Sequence, residues 1–154
     1  MTTAAQPKHI SRGDGTTYKL GRITLTFKTT DNAGAYTLCE AIEPPDSGAG
    51  LHRHPSYDET HIICEGRYEC RLGDKLLVLG PGDMMFAPKG TPHSVKSIGP
   101  ETGRELIISS PGGIFDAFVA EVAGATVESG SPSKPGPATD FRAIAAKYGI
   151  EFLD

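Results

Sequence analysis

Frequent turn signals divide the first two thirds of this chain into short segments, and this limits what it can fold into. Residues 22–28 (RITLTFK) alternate apolar and polar side chains, the pattern of a half-buried strand. Similar short segments follow, and nineteen glycines and twelve prolines are available for the turns between them. The pattern predicts an all-β fold with minor α content, built as an antiparallel barrel or sandwich. The clearest turns fall at residues 65–66, 73–74, 80–83 and 88–92.

Helical patterns occur near the C-terminal end. Residues 114–122 repeat apolar side chains every three or four positions, and Gly124 is the expected end of this helix. Residues 140–148 predict a second helix, with Gly149 as the residue that follows its C-terminus. A stretch rich in Pro, Gly and Ser over residues 129–138 predicts a linker between them. The predicted organisation is a flexible N-terminal arm over 1–12, a β-barrel over 13–110 and a helical extension over 111–154, packed on the barrel.

Four side chains of types that bind a divalent metal lie between residues 52 and 93. His52 and His54 are two residues apart, so on a β-strand both point to the same face. Glu59 follows shortly afterwards, and His93 arrives on a later strand. Three imidazoles and one carboxylate suit iron, nickel, manganese, copper or zinc and leave positions open for water or substrate. We therefore predict one divalent transition metal per chain, with iron as the first expectation.

The spacing of these residues is more informative than their types. The two separated stretches read His52-x-His54-x4-Glu59-x6-Gly66 and Gly82-x5-Pro88-x-Gly90-x2-His93. In order and spacing they resemble the two signature motifs of the cupin family, and the resemblance covers residues 35–110. Two positions depart from it. Asp46 stands where the first motif usually has glycine, and Ser97 stands where the second usually ends in asparagine.

The resemblance implies a fold and a site. Cupins are antiparallel jelly-roll β-barrels, and the family pattern implies that His52, His54, Glu59 and His93 are the metal ligands. The C-terminal tail is similar to that of small one-domain cupins related to quercetin dioxygenases. In dioxygenases of that type the matching glutamate is thought to take a proton from the substrate hydroxyl, which implies a catalytic role as base for Glu59.

Further residues are expected to line a substrate pocket beside the metal. His61 shares the strand parity of Glu59, so it is expected to face inward, where it would hydrogen-bond a ligand, line the pocket or simply pack. Tyr57 is expected over the pocket entrance or on the surface. The apolar candidates fit an ordinary core position as well as a pocket. The pocket candidates are Tyr57, His61, Ile63, Met84 (or Met85), Phe86 and Val95.

Three functions remain open at this point. The first is a metal-dependent, dioxygenase-like oxidoreductase that acts on a small aromatic or enolisable organic molecule. The second is an isomerase, lyase or decarboxylase that uses the metal as a Lewis acid without oxygen, and oxygen dependence discriminates between these two. The third is a barrel that binds a small ligand without catalysis. Cupins perform several of these reactions, so the fold cannot decide among them.

Charge and composition limit the partners. A net charge of −4, with no cluster of basic and aromatic residues, argues against nucleic-acid binding. Neither an apolar leader nor a run of transmembrane length is visible, so no membrane association is expected. The three cysteines are expected to be reduced thiols, and the expected location is the cytoplasm. A homodimer formed through sheet edges, with the apolar strand Ile23–Phe27 as a candidate, is a family expectation.

Overall fold

A computed structural model describes residues 4–29, 34–128 and 138–154, without the side chains of 125–128 and 138–140. The predicted linker falls outside the described residues apart from its last position. Eleven strands and two helices follow one another in these ranges. They are β1 (Thr16–Leu20), β2 (Ile23–Phe27), β3 (Thr37–Glu43), β4 (Gly48–Arg53), β5 (Asp58–Glu65), β6 (Tyr68–Leu72), β7 (Lys75–Leu79), β8 (Met84–Ala87), β9 (His93–Ser97), β10 (Gly103–Ser110), α1 (Phe115–Glu128), α2 (Ala138–Lys147) and β11 (Glu151–Phe152).

The strands form two antiparallel sheets. The six-stranded sheet has the order β1-β2-β3-β10-β5-β8, and the five-stranded sheet has the order β11-β4-β9-β6-β7. One core cluster joins Ile63 and Met85 of the first sheet to Cys70 and Val95 of the second, so the two sheets face each other. The prediction of a mainly β jelly roll with C-terminal helices is confirmed. The expected barrel is two facing sheets rather than one closed sheet, because no strand is shared between them.

Strand alternation decides which side chains enter the interior. On β3 and β10 every second residue is buried, which places Cys39, Ala41 and Ile107 in a second core cluster. Phe118 and Val119 of α1 complete this cluster from outside the sheet. The C-terminal segment is therefore packed against the six-stranded sheet, and burying such apolar side chains stabilises the fold by about 1.5–3 kcal/mol each.

The backbone conformation explains why glycine occupies the turns of the two motifs. Gly66, Gly82 and Gly90 all have positive φ, a region in which a side chain is strained. At Gly66 an added Cβ would also lie 2.8 Å from the Cα of Gly103. Asp46, which replaces the usual glycine of the first motif, has φ 65 and is the one non-glycine residue with positive φ in the described part of the chain. Aspartate tolerates this region better than most residues, so the turn survives the replacement.

The helices agree with the sequence except at one end. Helix α1 continues through Gly124 to Glu128, whereas the prediction ended it at Gly124. Gly124 keeps a helical backbone and is not among the residues with positive φ, so it lowers helix propensity without ending the helix. After α2, Gly149 has φ 75 and the N–H of Ile150 donates to the carbonyl of Ala145. This is the glycine C-terminal motif that was predicted there.

The C-terminus returns to the centre of the molecule. Strand β11 pairs with β4, with Glu151 opposite Arg53 and Phe152 opposite His52. The C-terminal strand thus lies beside the strand that carries His52. Strand β2, the candidate edge for a homodimer, is not at the edge of its sheet, because it is paired with β1 on one side and β3 on the other. Ile23–Phe27 is thus an inner strand, and its backbone groups are already bonded.

Outside these elements the N-terminal residues 4–15 contain neither strand nor helix and are largely exposed. Within the described ranges, no helix combines the length and the apolar character needed to cross a membrane.

Candidate metal centre

Three neighbouring strands bring the four predicted ligands together. His52 lies near the end of β4 and pairs directly with His93, the first residue of β9. His54 follows the end of β4, and Glu59 lies near the start of β5. All four side chains are buried, and His93 is fully so. One candidate ligand atom from each lies within 4.8 Å of the others.

Backbone carbonyls fix the tautomer of the three histidines. Each Nδ1 lies within hydrogen-bond distance of a carbonyl oxygen: His52 on Gly50 at 2.7 Å, His54 on Tyr57 at 2.9 Å and His93 on Thr91 at 2.9 Å. A carbonyl oxygen only accepts, so each Nδ1 carries the proton. In the neutral form of such an imidazole the lone pair is on Nε2, the atom that remains for a metal.

The distances suit a single ion. The Nε2 atoms of His54 and His93 are 3.3 Å apart, and Glu59 Oε1 lies 3.3 Å from His93 Nε2. Metal bonds to nitrogen or carboxylate oxygen are about 2.0–2.2 Å long, so two ligands on opposite sides of an ion are about 4 Å apart. The separations in the cluster, which reach up to 4.8 Å, therefore need to shorten only slightly for all four atoms to bind one ion. The residues present therefore fit one divalent transition metal.

The protonation states also favour a metal. Burial, together with the neighbouring His93, lowers the pKa of His52 to about 4, so this imidazole is neutral near pH 7. Burial on its own would raise the pKa of Glu59. The charge of His61 and the hydrogen bond that it donates, together with the close contacts of His54 and His93, outweigh this effect and hold that pKa well below its usual range. Neutral imidazole and ionised carboxylate are the forms that bind metal.

His61 lies directly behind the candidate ligand Glu59. Its Nε2 is 2.7 Å from Glu59 Oε1, and its Nδ1 is 2.9 Å from Glu105 Oε2. Burial would lower the pKa of His61, but the two carboxylates on either side hold it well above its usual value. Both ring nitrogens therefore donate, and His61 bridges Glu59 and Glu105. The inward direction predicted from strand parity is correct.

Two buried glutamates extend this polar network and were not found from the sequence. Glu105 is on β10 and Glu43 on β3, and Tyr68 donates a hydrogen bond to Glu43 Oε1 over 3.2 Å. Burial and the negative charge of Glu105 raise the pKa of Glu43 to about 9, so Glu43 is protonated near pH 7. The alternation of side chains along β3 and β10 was the signal that could have found them. Every second residue on these strands is buried, and both glutamates fall on the buried positions.

A cavity of about 360 Å³ opens beside the metal cluster. Its polar side includes His52, Glu59 and His61 together with Glu43 and Glu105. Most of its wall is apolar and comes from two sources, the strands of the six-stranded sheet and the C-terminal elements α1, α2 and β11. The apolar lining residues are Leu20, Ile23, Leu25, Ala41, Tyr57, Val95, Ile107, Phe115, Phe118, Val119, Phe141, Ile150 and Phe152.

Three of the predicted pocket residues line this cavity, namely Tyr57, His61 and Val95. Tyr57 is not at an entrance or on the surface: it is 1% exposed, and its ring stacks on His54 with 3.9 Å between ring centroids. Ile63 is buried in the core cluster between the two sheets and does not line the cavity.

Met84 and Phe86, two of the predicted pocket residues, do not line this cavity. They are 56% and 45% exposed and lie on the outer face of β8. Met85, the alternative to Met84, faces inward together with Ala87, because His61 pairs with Met85 and Glu59 pairs with Ala87. The preceding turn sets this register, and the sequence pattern alone did not define it.

Ser97 marks the second departure from the cupin motifs. It faces the interior from β9, and its Oγ is buried without a hydrogen-bond partner among the described residues. The replacement of asparagine by serine at this position leaves the candidate ligands untouched, since Ser97 lies four residues beyond His93.

The variant Glu43→Gln is expected to change how stability depends on pH. Native Glu43 keeps its proton up to about pH 9, whereas the unfolded side chain loses it near 4.5. Between these values the native state binds more protons, so the free energy of unfolding of the wild type falls as pH rises, by at most about 1.4 kcal/mol per pH unit from this group. Glutamine cannot titrate, and the variant should lack this contribution.

Urea unfolding at a series of pH values measures this difference. Glu69→Gln, at an exposed position on β6, is the matched control for loss of a carboxyl group. Parallel pH curves for the wild type and Glu43→Gln would contradict the protonated state assigned to Glu43.

Known proteins share both the sequence pattern and the fold. The model of the cupin domain family Cupin_2 matches residues 40–109. An uncharacterised protein of Methanocaldococcus jannaschii is 35% identical over 75 residues, which are 49% of this chain and 60% of that protein. The chain thus matches less than two thirds of the length of this relative.

Solved structures resemble the chain at low sequence identity. KdgF from Halomonas sp. has a TM-score of 0.62 at 18% identity and covers 69% of this chain and 94% of its own. A protein of Thermotoga maritima described as a predicted oxalate decarboxylase has a TM-score of 0.62 at 19% identity, covering 68% of this chain and 99% of its own. An RmlC-like cupin from Shewanella frigidimarina has a TM-score of 0.60 at 18% identity, covering 69% and 93%. This likeness shows the fold.

The fold is therefore the cupin fold, and residues 40–109, less than half of the chain, match the model of a cupin domain. All four candidate metal ligands lie inside this range, on strands that the family pattern places together. The C-terminal elements that close the cavity lie outside it.

Proposed function

We propose that this protein is a mononuclear metal-dependent enzyme, a quercetin dioxygenase-like oxidoreductase that acts on a small aromatic or enolisable organic molecule. One observation carries the proposal: three imidazoles and a carboxylate converge at the side of a mostly apolar cavity. Such a cavity holds an organic substrate and excludes water, while the ligand set leaves coordination positions open.

The residues around the cavity have separate tasks in this proposal. A bound metal would supply Lewis acidity and, if redox active, a means of using dioxygen. Tyr57 stacks on His54 and thereby orients that imidazole. His61 donates to Glu59 Oε1 over 2.7 Å, whereas Oε2 has only the longer hydrogen bond from Ser109 Oγ, 3.4 Å, and is the more weakly held oxygen of this carboxylate.

Glu59 is the proposed base that takes a proton from a substrate hydroxyl. Its low pKa makes it a weak base while all its hydrogen bonds are formed. Proton transfer therefore requires that substrate binding releases part of these bonds, because a carboxylate with fewer donors has a higher pKa.

Oxygen uptake tests the proposal. The metal-loaded protein is offered a panel of catechols, flavonols and β-diketones in an oxygen electrode. We expect uptake with at least one of them, and Glu59→Gln should keep part of its metal but turn over about 100-fold to 10,000-fold more slowly. Full activity in that variant would contradict the base role. Conversion of the same substrate under strict anaerobiosis would contradict the dioxygenase proposal.

A second candidate is an isomerase, lyase or decarboxylase that uses the metal as a Lewis acid. The pair formed by His61 and Glu105 favours it, because both residues line the cavity and a hydrogen-bonded histidine and carboxylate can move a proton without oxygen. Anaerobic turnover that is lost in His61→Gln would select this candidate.

A further inference from the structure

One side of the cavity that we assign to the substrate lies outside the cupin domain, and we call this side the roof. It is formed by Phe115, Phe118 and Val119 of α1, Phe141 of α2 and Phe152 of β11. The Cupin_2 match ends at residue 109, before any of these side chains. The selectivity of the cavity therefore depends on residues specific to this chain's C-terminal segment, and their aromatic rings favour an apolar ligand.

The cavity has carboxyl groups on its polar side and no lysine or arginine among the described residues that line it. The carboxyl groups are those of Glu43, Glu59 and Glu105. His61 also lines the cavity and is already hydrogen-bonded to both Glu59 and Glu105. Away from the metal cluster, a carboxylate, phosphate or sulfonate on a ligand would thus enter a low-dielectric space beside carboxyl groups, where the described lining residues offer it no lysine or arginine.

The polar side still offers hydrogen bonds. Glu43 is 4% exposed, lines the cavity and has a neutral carboxyl group that both donates and accepts. Glu105 is 1% exposed; its Oε2 bonds to His61, and Glu43 and Glu105 hydrogen-bond to each other. The remaining lone pairs of these carboxyl oxygens can accept a hydrogen bond from a ligand hydroxyl, whereas an anionic group has no proton to donate to them.

We infer that the cavity takes an uncharged, largely apolar molecule, with its apolar body against the C-terminal aromatic residues and a hydroxyl group toward Glu43 and Glu105. The inference rests on the proposed function in one respect, since it takes this cavity as the substrate site.

Binding of two matched probes tests this inference. Naphthalenemethanol is neutral and carries a hydroxyl, whereas naphthalenesulfonate has the same rings, is anionic and is a weak metal ligand. Calorimetric titration of the full-length, metal-loaded protein should show the alcohol binding about tenfold or more tightly than the sulfonate, because the cavity offers the anion no partner.

Variants locate the effect. Ala49→Arg adds a cation at an exposed residue that lines the cavity, so it should reduce the difference in affinity between the alcohol and the sulfonate. Ala49→Gln adds bulk without a full charge and should leave this difference unchanged. Phe152→Ala removes part of the roof and should weaken binding of the alcohol. If that variant does not fold, Phe141→Ala at a partly exposed position provides the same test.

The outcomes separate this inference from the proposed function. Equal or tighter binding of the sulfonate, or binding of neither probe, would overturn the inference whether or not oxygen uptake occurs. Absence of oxygen uptake alongside a clear preference for the alcohol would overturn the dioxygenase proposal and leave the inference standing.

Discussion

Replacing His93 by alanine is expected to weaken metal binding more than about 100-fold, since even the loss of a residue that only supports a ligand typically costs 10-fold to 100-fold. His93 is fully buried, and its Nε2 lies 3.3 Å from both His54 Nε2 and Glu59 Oε1. Its removal takes one donor from the centre of the cluster. Titration with Co²⁺, followed by its visible absorption, measures both the affinity and the change in coordination.

The matched control for His93→Ala is His9→Ala, in the exposed N-terminal region. Thermal unfolding of both metal-free proteins shows whether His93→Ala keeps its fold. Unchanged Co²⁺ affinity in a folded His93→Ala protein would contradict the ligand assignment. Loss of affinity in His9→Ala would show that Co²⁺ binds elsewhere.

Replacing His61 by leucine is expected to lower the free energy of unfolding by about 3–5 kcal/mol, the usual cost of removing one partner from a buried ion pair. His61 is the cation between two buried carboxylates, with 2.7 Å to Glu59 and 2.9 Å to Glu105. Without it, Glu105 is left as a buried charge beside Glu43. Urea unfolding at pH 7 with saturating metal, which keeps Glu59 engaged as a ligand, measures the loss.

The double variant His61→Leu/Glu105→Leu is the decisive comparison. Removing both charges should recover much of the stability that the single change loses, because apolar side chains of similar size replace a buried ion pair at little cost. Additive losses in the double variant would contradict the ion pair and make His61 a packing residue only.

The cluster of candidate metal ligands could be predicted because the motifs follow local rules. The two-residue spacing of His52 and His54 directs both to one side at the end of β4, where His93 of β9 pairs with His52. Glu59 comes from β5 in the facing sheet, and its motif position was the signal for it. The same parity correctly directed His61 inward. Turn glycines such as Gly66 were visible because a positive φ selects glycine wherever the chain needs it.

Other features depend on tertiary structure that a local pattern does not contain. The inward or outward direction of Met84 and Phe86 follows from the register of β8 against β5. The buried positions of Glu43 and Glu105 resemble ordinary strand positions until the two sheets face each other. The roof of the cavity needs the fold of the C-terminal segment, which brings Phe152 beside His52 through pairing of β11 with β4.

The metal content of tag-free protein, purified without chelator and measured by elemental analysis, tests the central claim most directly. The account predicts about one transition-metal ion per chain, lost in the double variant His52→Ala/His93→Ala. Iron, nickel, copper or manganese would favour redox chemistry, and zinc alone would favour the Lewis-acid candidate. Protein that contains no metal and takes up none on addition would contradict the claim.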